Sequence, residues 1–137
     1  MIAPTNPTNL DLVRSIYADW GRGDFSSIAW ADADIEYVVV DGPEPGSWRG
    51  RAAMGGALEG ILDAWEDARI VADGCSELDD ERVFVLNHMS GRGKISGLDV
   101  SQMQRNGAAL LHISDGKVTK YVSYNDRERA LLDLASD

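Results

Sequence analysis

Apolar residues along the chain recur with two periods. Val13, Ile16, Tyr17 and Trp20 fall at i, i+3, i+4 and i+7, which predicts an amphipathic helix, and Thr8 or Asn9 can cap its start. Gly21-Arg22-Gly23 breaks that run, and Asp24 is placed to cap a short second helix carrying Phe25, Ile28 and Ala29. The strongest helical stripe runs from about Arg51 to Glu66, with Met54, Ala57, Leu58, Ile61, Leu62 and Trp65 on one side. Strand patterns fill the rest. Asp34 to Val40 alternates, with Ile35, Tyr37 and Val39 on one face and Glu36, Val38 and Val40 on the other. Arg69 to Leu78 and Arg82 to Ser90 are two further strands joined by the acidic turn Asp79-Asp80-Glu81. A long segment from Leu98 to Ser114 leads through Asp115-Gly116, a hairpin signal, into Lys117 to Asn125. Asn106-Gly107 within that segment reads as a tight turn or as a bulge. Asn125 or Asp126 can cap a last helix that buries Ala130, Leu131 and Leu134, with Glu128 reaching back. The Asp41 to Ser47 stretch, DGPEPGS, reads as a loop without regular structure. The resulting order, α-α-β-α-β-β-β-β-α, is that of an α+β fold with helices covering one face of a curved antiparallel sheet.

Length and charge narrow the function classes. With 137 residues, a single domain is expected over the whole chain, residues 1–8 forming a loosely ordered arm. The net charge of −10 opposes nucleic-acid and anionic-membrane partners. Cys75 is the only cysteine, so an intramolecular disulfide and a cysteine-rich zinc site are excluded, and no metal is expected. MIAPTNPTNL has neither a basic segment nor an apolar run, and nothing approaches 18 consecutive apolar residues. A cytoplasmic protein is the expectation.

Several short motifs then add up. Tyr17-Ala18-Asp19-Trp20-Gly21-Arg22-Gly23-Asp24-Phe25, Ala33-Asp34-Ile35-Glu36-Tyr37 and Trp48-Arg49-Gly50 are followed by Ala64-Trp65-Glu66-Asp67 and Gly91-Arg92-Gly93-Lys94. Asp115-Gly116-Lys117-Val118 and Tyr124-Asn125-Asp126-Arg127 complete the series. In this order and spacing the chain resembles the nuclear transport factor 2-like superfamily, in its SnoaL-like branch related to polyketide cyclases and ketosteroid isomerases. The resemblance implies a cone-shaped half-barrel whose bent sheet wraps the helices, a blind apolar pocket, and homodimers through the outer sheet face. Because this fold carries many chemistries, the function must be argued from the site.

A three-residue loop Ser114-Asp115-Gly116 pairs Ile113 with Lys117, and the resembling enzymes then place Thr119, Tyr121, Ser123 and Asn125 inward. Leu110, His112, Val118, Val122 and Tyr124 would face outward, an apolar surface suited to a dimer. A two-residue loop would reverse every one of these faces. The catalytic positions of ketosteroid isomerases fall at Ile16, Val38 and roughly Ala109, none of which can do that chemistry, although Tyr17 and Asp41 lie nearby. Those of limonene epoxide hydrolases fall at Asn87, Met89 and Ser123, and the two histidines of a scytalone dehydratase-like pair, His88 and His112, point outward. Asp41, at the end of a strand, is expected to bond its own turn rather than act as a base. Gly91 to Gly97 does not open a helix, so it is not a nucleotide loop, and no G-x-S-x-G elbow is present.

The supply of aromatic residues suggests a ligand wall instead, since flat rings favour flat ligands. Tyr37, Trp48, Asn87, Tyr121, Ser123 and Asn125 are the candidate ligand-binding residues, with Trp48 at the pocket mouth. The expected function is binding of a small hydrophobic metabolite, with isomerase, cyclase or dehydratase chemistry that uses no cofactor. The alternative is a non-catalytic dimeric ligand-binding or protein-interaction module. Whether the chain is an enzyme stays open at the level of sequence.

Overall fold

The computed structural model describes residues 8–41, 45–63, 65–93 and 105–135. Helix α1 (Asn9–Gly21) starts at a capping box: Asp11 N–H donates to the Thr8 hydroxyl at 3.0 Å and the Asp11 carboxylate accepts from Thr8 N–H. Its Val13, Ile16, Tyr17 and Trp20 are all buried, as the spacing predicts. The second helix does not form. Asp24 accepts from both the Ser26 N–H and the Ser26 hydroxyl in an Asx turn, and the Trp30 indole donates to the Ser27 carbonyl. A six-residue segment offers too few helical bonds to offset nucleation, so these local side-chain bonds win. Phe25 and Ile28 pack on the core all the same.

Strand β1 (Ala31–Val39) is followed by β2 (Gly46–Arg49), so the end of the expected loop is a short strand, pairing Trp48 with Tyr37. Helix α2 (Arg51–Leu62) opens at Gly50, whose φ of 92° only glycine adopts readily and whose N–H donates to the Ile35 carbonyl at 2.7 Å. The helix ends at Leu62, four residues earlier than its apolar stripe predicts, and Trp65 opens strand β3 (Trp65–Glu77) instead. Three glycines in the last eight residues of α2, 55, 56 and 60, weaken its propagation. Strands β4 (Arg82–Gly93), β5 (Arg105–Ser114) and β6 (Lys117–Tyr124) and helix α3 (Arg127–Ala135) complete the chain. Residues 98–104 of the long expected segment, and 1–7 of the N-terminal arm, lie outside the described residues. Asn106-Gly107 lies inside a continuous β5, opposite His88 and Asn87, so it is no turn.

The described residues form three helices and an open, six-stranded mixed sheet in the order β2-β1-β6-β5-β4-β3. Only β1 against β6 is parallel among its pairs. This is the α+β cone arrangement the resemblance implies. The register of the last hairpin differs from the expected one. Asp115 and Gly116 both have positive φ, 52° and 75°, so the loop has two residues, and Ser114 pairs with Lys117. That register turns Val118 inward, where it is fully buried beside Ile113, contrary to expectation. The pairing then jumps from Ile113–Val118 to His112–Lys120, leaving Thr119 as a bulge. One extra residue reverses the facing a second time. Tyr121 therefore faces inward opposite Leu111, and Val122 and Tyr124 face outward, in line with the expectation.

The main core lies between the inner sheet face and the helices α1 and α2. On the outer face Phe84, Ala108, Val122, Tyr124 and Ala130 form a second cluster, because α3 folds back over that side. The outer face is thus partly covered by the chain's own last helix. Ala130 is fully buried there, whereas Leu131, expected on the buried side, is 49% exposed. Among the described residues no helix is long and apolar enough to cross a membrane.

Candidate functional site

Four elements bring polar atoms to one place inside the sheet. The buried stripe of α1 supplies Tyr17, the inner faces of β1 and β6 supply Tyr37 and Tyr121 as a ladder pair, and β4 supplies Asn87. The Tyr17 and Tyr121 hydroxyl oxygens are 2.6 Å apart, and the Asn87 amide donates to Tyr17 at 3.0 Å. Ser123 stands on the same inner face of β6, two residues beyond Tyr121. Rings surround these groups. Trp20 lies with its centroid 5.3 Å from Tyr17, 5.8 Å from Tyr121 and 5.9 Å from Trp30, and Tyr37 is 5.7 Å from Tyr121 and 5.8 Å from Trp48. These are edge-on and tilted contacts of the kind aromatic quadrupoles favour.

Burial controls the charge state of the site. It pushes the Tyr17 phenol far up, outweighing the hydrogen bonds from Tyr121 and Asn87 that pull the other way. Tyr121 is raised well above the ordinary tyrosine value by burial and by Tyr17 beside it. Burial lifts Tyr37 to about 12, although the Ser123 side chain pulls the other way. All three phenols are neutral near pH 7 and act as hydrogen-bond donors and acceptors, not as bases.

Counting hydrogens gives the site its chemistry. Tyr17 and Tyr121 carry one O–H each, and a single O···O contact uses only one of the two. Asn87 meets Tyr17 through its Nδ2, a donor, so that contact takes up neither hydrogen. Among the described residues the second hydroxyl hydrogen has no acceptor. Both side chains are 4% exposed, so bulk water does not readily supply one.

Of the six candidate residues, the structure gathers Tyr37, Trp48, Asn87, Tyr121 and Ser123 into this connected cluster. Asn125 lies elsewhere: it is exposed, and its amide donates to the Asp41 carbonyl at 2.9 Å. The turn that follows Asp41, residues 42–44, lies outside the described residues. The Asp41 carboxylate accepts from Asn125 N–H at 2.5 Å and Asp126 N–H at 3.1 Å, clamping the end of β1 to the start of α3. Thr119, expected inward, is the bulge residue, and its hydroxyl donates to the His112 carbonyl at 3.3 Å. Tyr17 is the addition. It was legible as the one hydroxyl on the buried stripe of α1, a polar atom that must find a partner.

A family model for the SnoaL-like domain matches residues 13–121. The chain belongs to the SnoaL-like family. Solved structures agree on the fold. A protein with a ketosteroid isomerase-like fold from Catenulispora acidiphila DSM 44928, in complex with trimethylamine, is 16% identical with a TM-score of 0.68, over 85% of both chains. A candidate SnoaL-like polyketide cyclase from Jannaschia sp. CCS1 is 9% identical with a TM-score of 0.71, over 100% of this chain and 99% of the other. TerC, co-crystallized with polyporic acid, is 19% identical with a TM-score of 0.72, over 96% of this chain and 100% of the other. No curated protein matches the sequence. Within the SnoaL-like fold of this chain, Ile16, Val38 and Ala109 carry no polar side chain, and Val38 packs with the outer cluster.

Proposed function

We propose that this SnoaL-like protein binds a small, mainly hydrophobic metabolite against the Trp20–Tyr37–Trp48 aromatic wall. Its paired tyrosines direct their spare hydroxyl hydrogen at a carbonyl or hydroxyl oxygen of that ligand. The observation that carries this reading is the single 2.6 Å link between two buried hydroxyls that hold two hydrogens. A neutral, desolvated donor strengthens its bond as negative charge develops on a carbonyl oxygen, which is what enolisation in a cyclase or isomerase requires. No carboxylate or imidazole is bonded to the tyrosines among the described residues, so the chain supplies orientation and oxyanion stabilisation and needs no cofactor for either. TerC, a protein of the same fold co-crystallized with polyporic acid, supports a ligand-handling role.

The test is binding of 1-tetralone, a flat aromatic ketone, followed through tryptophan fluorescence. Loss of both hydroxyls in the Tyr17→Phe/Tyr121→Phe double variant, which leaves the pair no hydrogen to donate, is expected to weaken it about fivefold to tenfold while leaving naphthalene affinity unchanged. Equal loss for both probes would show that the hydroxyl pair does not recognise the carbonyl.

A second reading, a homodimer through the outer sheet face, is favoured by the apolar row Val38, Val122, Leu110 and Phe84, beside which Lys120 and Glu36 pair at 3.7 Å. Leu110→Lys is expected to convert the dimer to monomer in light scattering; an unchanged mass would contradict this interface.

A further inference from the structure

Asn87 and His88 are neighbours on β4 and point to opposite faces. Asn87 reaches Tyr17 inside, while outside the His88 Nδ1 lies 2.8 Å from Asp73 Oδ1. Asp73 is the extra residue of a bulge, since the β3 register slips between Ala72 and Gly74. Its other oxygen is 3.1 Å from the Arg127 guanidinium. Burial alone would raise the Asp73 carboxyl, but hydrogen bonds from His88 and Arg127 outweigh it and hold the group ionised. Arg127, the first residue of α3, reaches back over the sheet end. Its Nε donates to the Gly107 carbonyl at 3.1 Å and its Nη2 to the Asn87 carbonyl at 2.9 Å.

Gly107 and Asn87 are a facing pair of the β4–β5 ladder. A Cβ at Gly107 would stand 3.1 Å from Asn87 Oδ1, so the amide oxygen rests against bare backbone. Asn87 is therefore held at its backbone carbonyl by Arg127, while its amide oxygen lies against Gly107. Its Nδ2 is the end left to meet Tyr17.

We infer that Arg127 is a positioning residue for the inner site: anchored by Asp73 and His88 on the outer face, it fixes Asn87 so that the amide orders the Tyr17–Tyr121 hydroxyl pair. Because Asn87 fills one acceptor position of Tyr17, the pair keeps a defined hydrogen for the ligand. The consequence for ligand binding rests on the function proposed above; the positioning itself does not.

Two readouts on the intact protein test this. The first is the Asn87 side-chain amide resonance of 15N-labelled protein, assigned by its loss in Asn87→Asp. Arg127→Met is expected to move that resonance and the Tyr17 ring signals, Arg127→Lys to restore them in part, and Asp73→Asn to shift them in the same direction. Arg129→Met is the control, because the ion pair of Arg129 with Asp133, at 3.6 Å, lies on the exposed side of the same helix. The second readout is 1-tetralone affinity, expected to fall about fivefold in Arg127→Met, the scale of one hydrogen bond, and to stay within twofold in Arg129→Met. An Asn87 resonance unmoved in Arg127→Met would overturn the inference. If the wild-type protein does not bind 1-tetralone, the ligand-handling reading fails while the resonance still decides the role of Arg127. Should Arg127→Met not fold, Arg127→Lys and Asp73→Asn carry the same comparison.

Discussion

At the scale of single residues, Gly107 shows how one position can be read correctly as special and still be misplaced. Asn-Gly pairs serve turns and bulges alike, so the sequence left both open. The structure uses the glycine for close approach: a Cβ there would stand 2.5 Å from the Tyr124 carbonyl oxygen, a backbone atom that cannot swing away. Gly107→Ala is expected to cost about 2 kcal/mol by the usual penalty for overpacking, read as a lowered midpoint in urea. The buried phenols give a second expectation. A tyrosine raised from 10.0 to about 12, as Tyr37 is, binds its proton more tightly folded than unfolded. The stability this provides is complete below pH 10 and is lost as pH rises from 10 to 12, at about 1.4 kcal/mol per group per pH unit. Tyr37→Phe is therefore expected to flatten the alkaline fall in stability measured by denaturant titration; an identical fall would show that Tyr37 is not protected. Tyr37 and Asn87 were legible from the alternation along β1 and β4, whereas Tyr121 and Ser123 came out on the inner face because the two-residue loop and the Thr119 bulge offset one another. Asn125 was not legible, because the alternation was carried one step past the end of β6, where Asp41 takes the backbone over.

At the scale of elements, long periodic segments were read well and short ones lost to local bonds. The α1 stripe holds at every position. The Asp24 segment has a helical pattern, yet its cap residue bonds Ser26 two residues on and ends the helix before it begins. The hairpin contains two offsetting departures, a two-residue loop and a bulge at Thr119, and a count along one strand detects neither separately. Helix α3 depends on side-chain clamps more than on its apolar surface. Tyr124 donates to Asp133 at 3.0 Å, Glu128 N–H to Asp126 at 3.0 Å, and Asp41 receives two backbone N–H groups. Asp41→Ala leaves those donors without their carboxylate and is expected to cost about 2 kcal/mol, the scale of charge-assisted bonds. Hydrogen exchange of the α3 amides should rise accordingly; unchanged protection would mean that Tyr124 and Arg127 suffice to hold the helix.

At the scale of the whole molecule, the family was legible from motifs spread over the chain, while the sheet order was not legible from any one of them. That β1 runs parallel to β6 and sits between β6 and β2 is a non-local fact that no periodicity encodes. The same topology stacks Tyr37 against Tyr121 and brings α1 over both, so the hydroxyl pair is a product of the fold rather than of a motif. Ile16, Val38 and Ala109 carry no polar side chain. Under the proposed function the neutral donor is Tyr17, one step along α1, with Tyr121 beside it. A crystal structure of the protein grown with 1-tetralone tests the proposed site most directly. The ketone is expected between the aromatic rings, with its oxygen within hydrogen-bonding distance of the Tyr17 or Tyr121 hydroxyl. Rings packed closed on one another, with the ketone absent or bound on the outer face, would contradict the proposal.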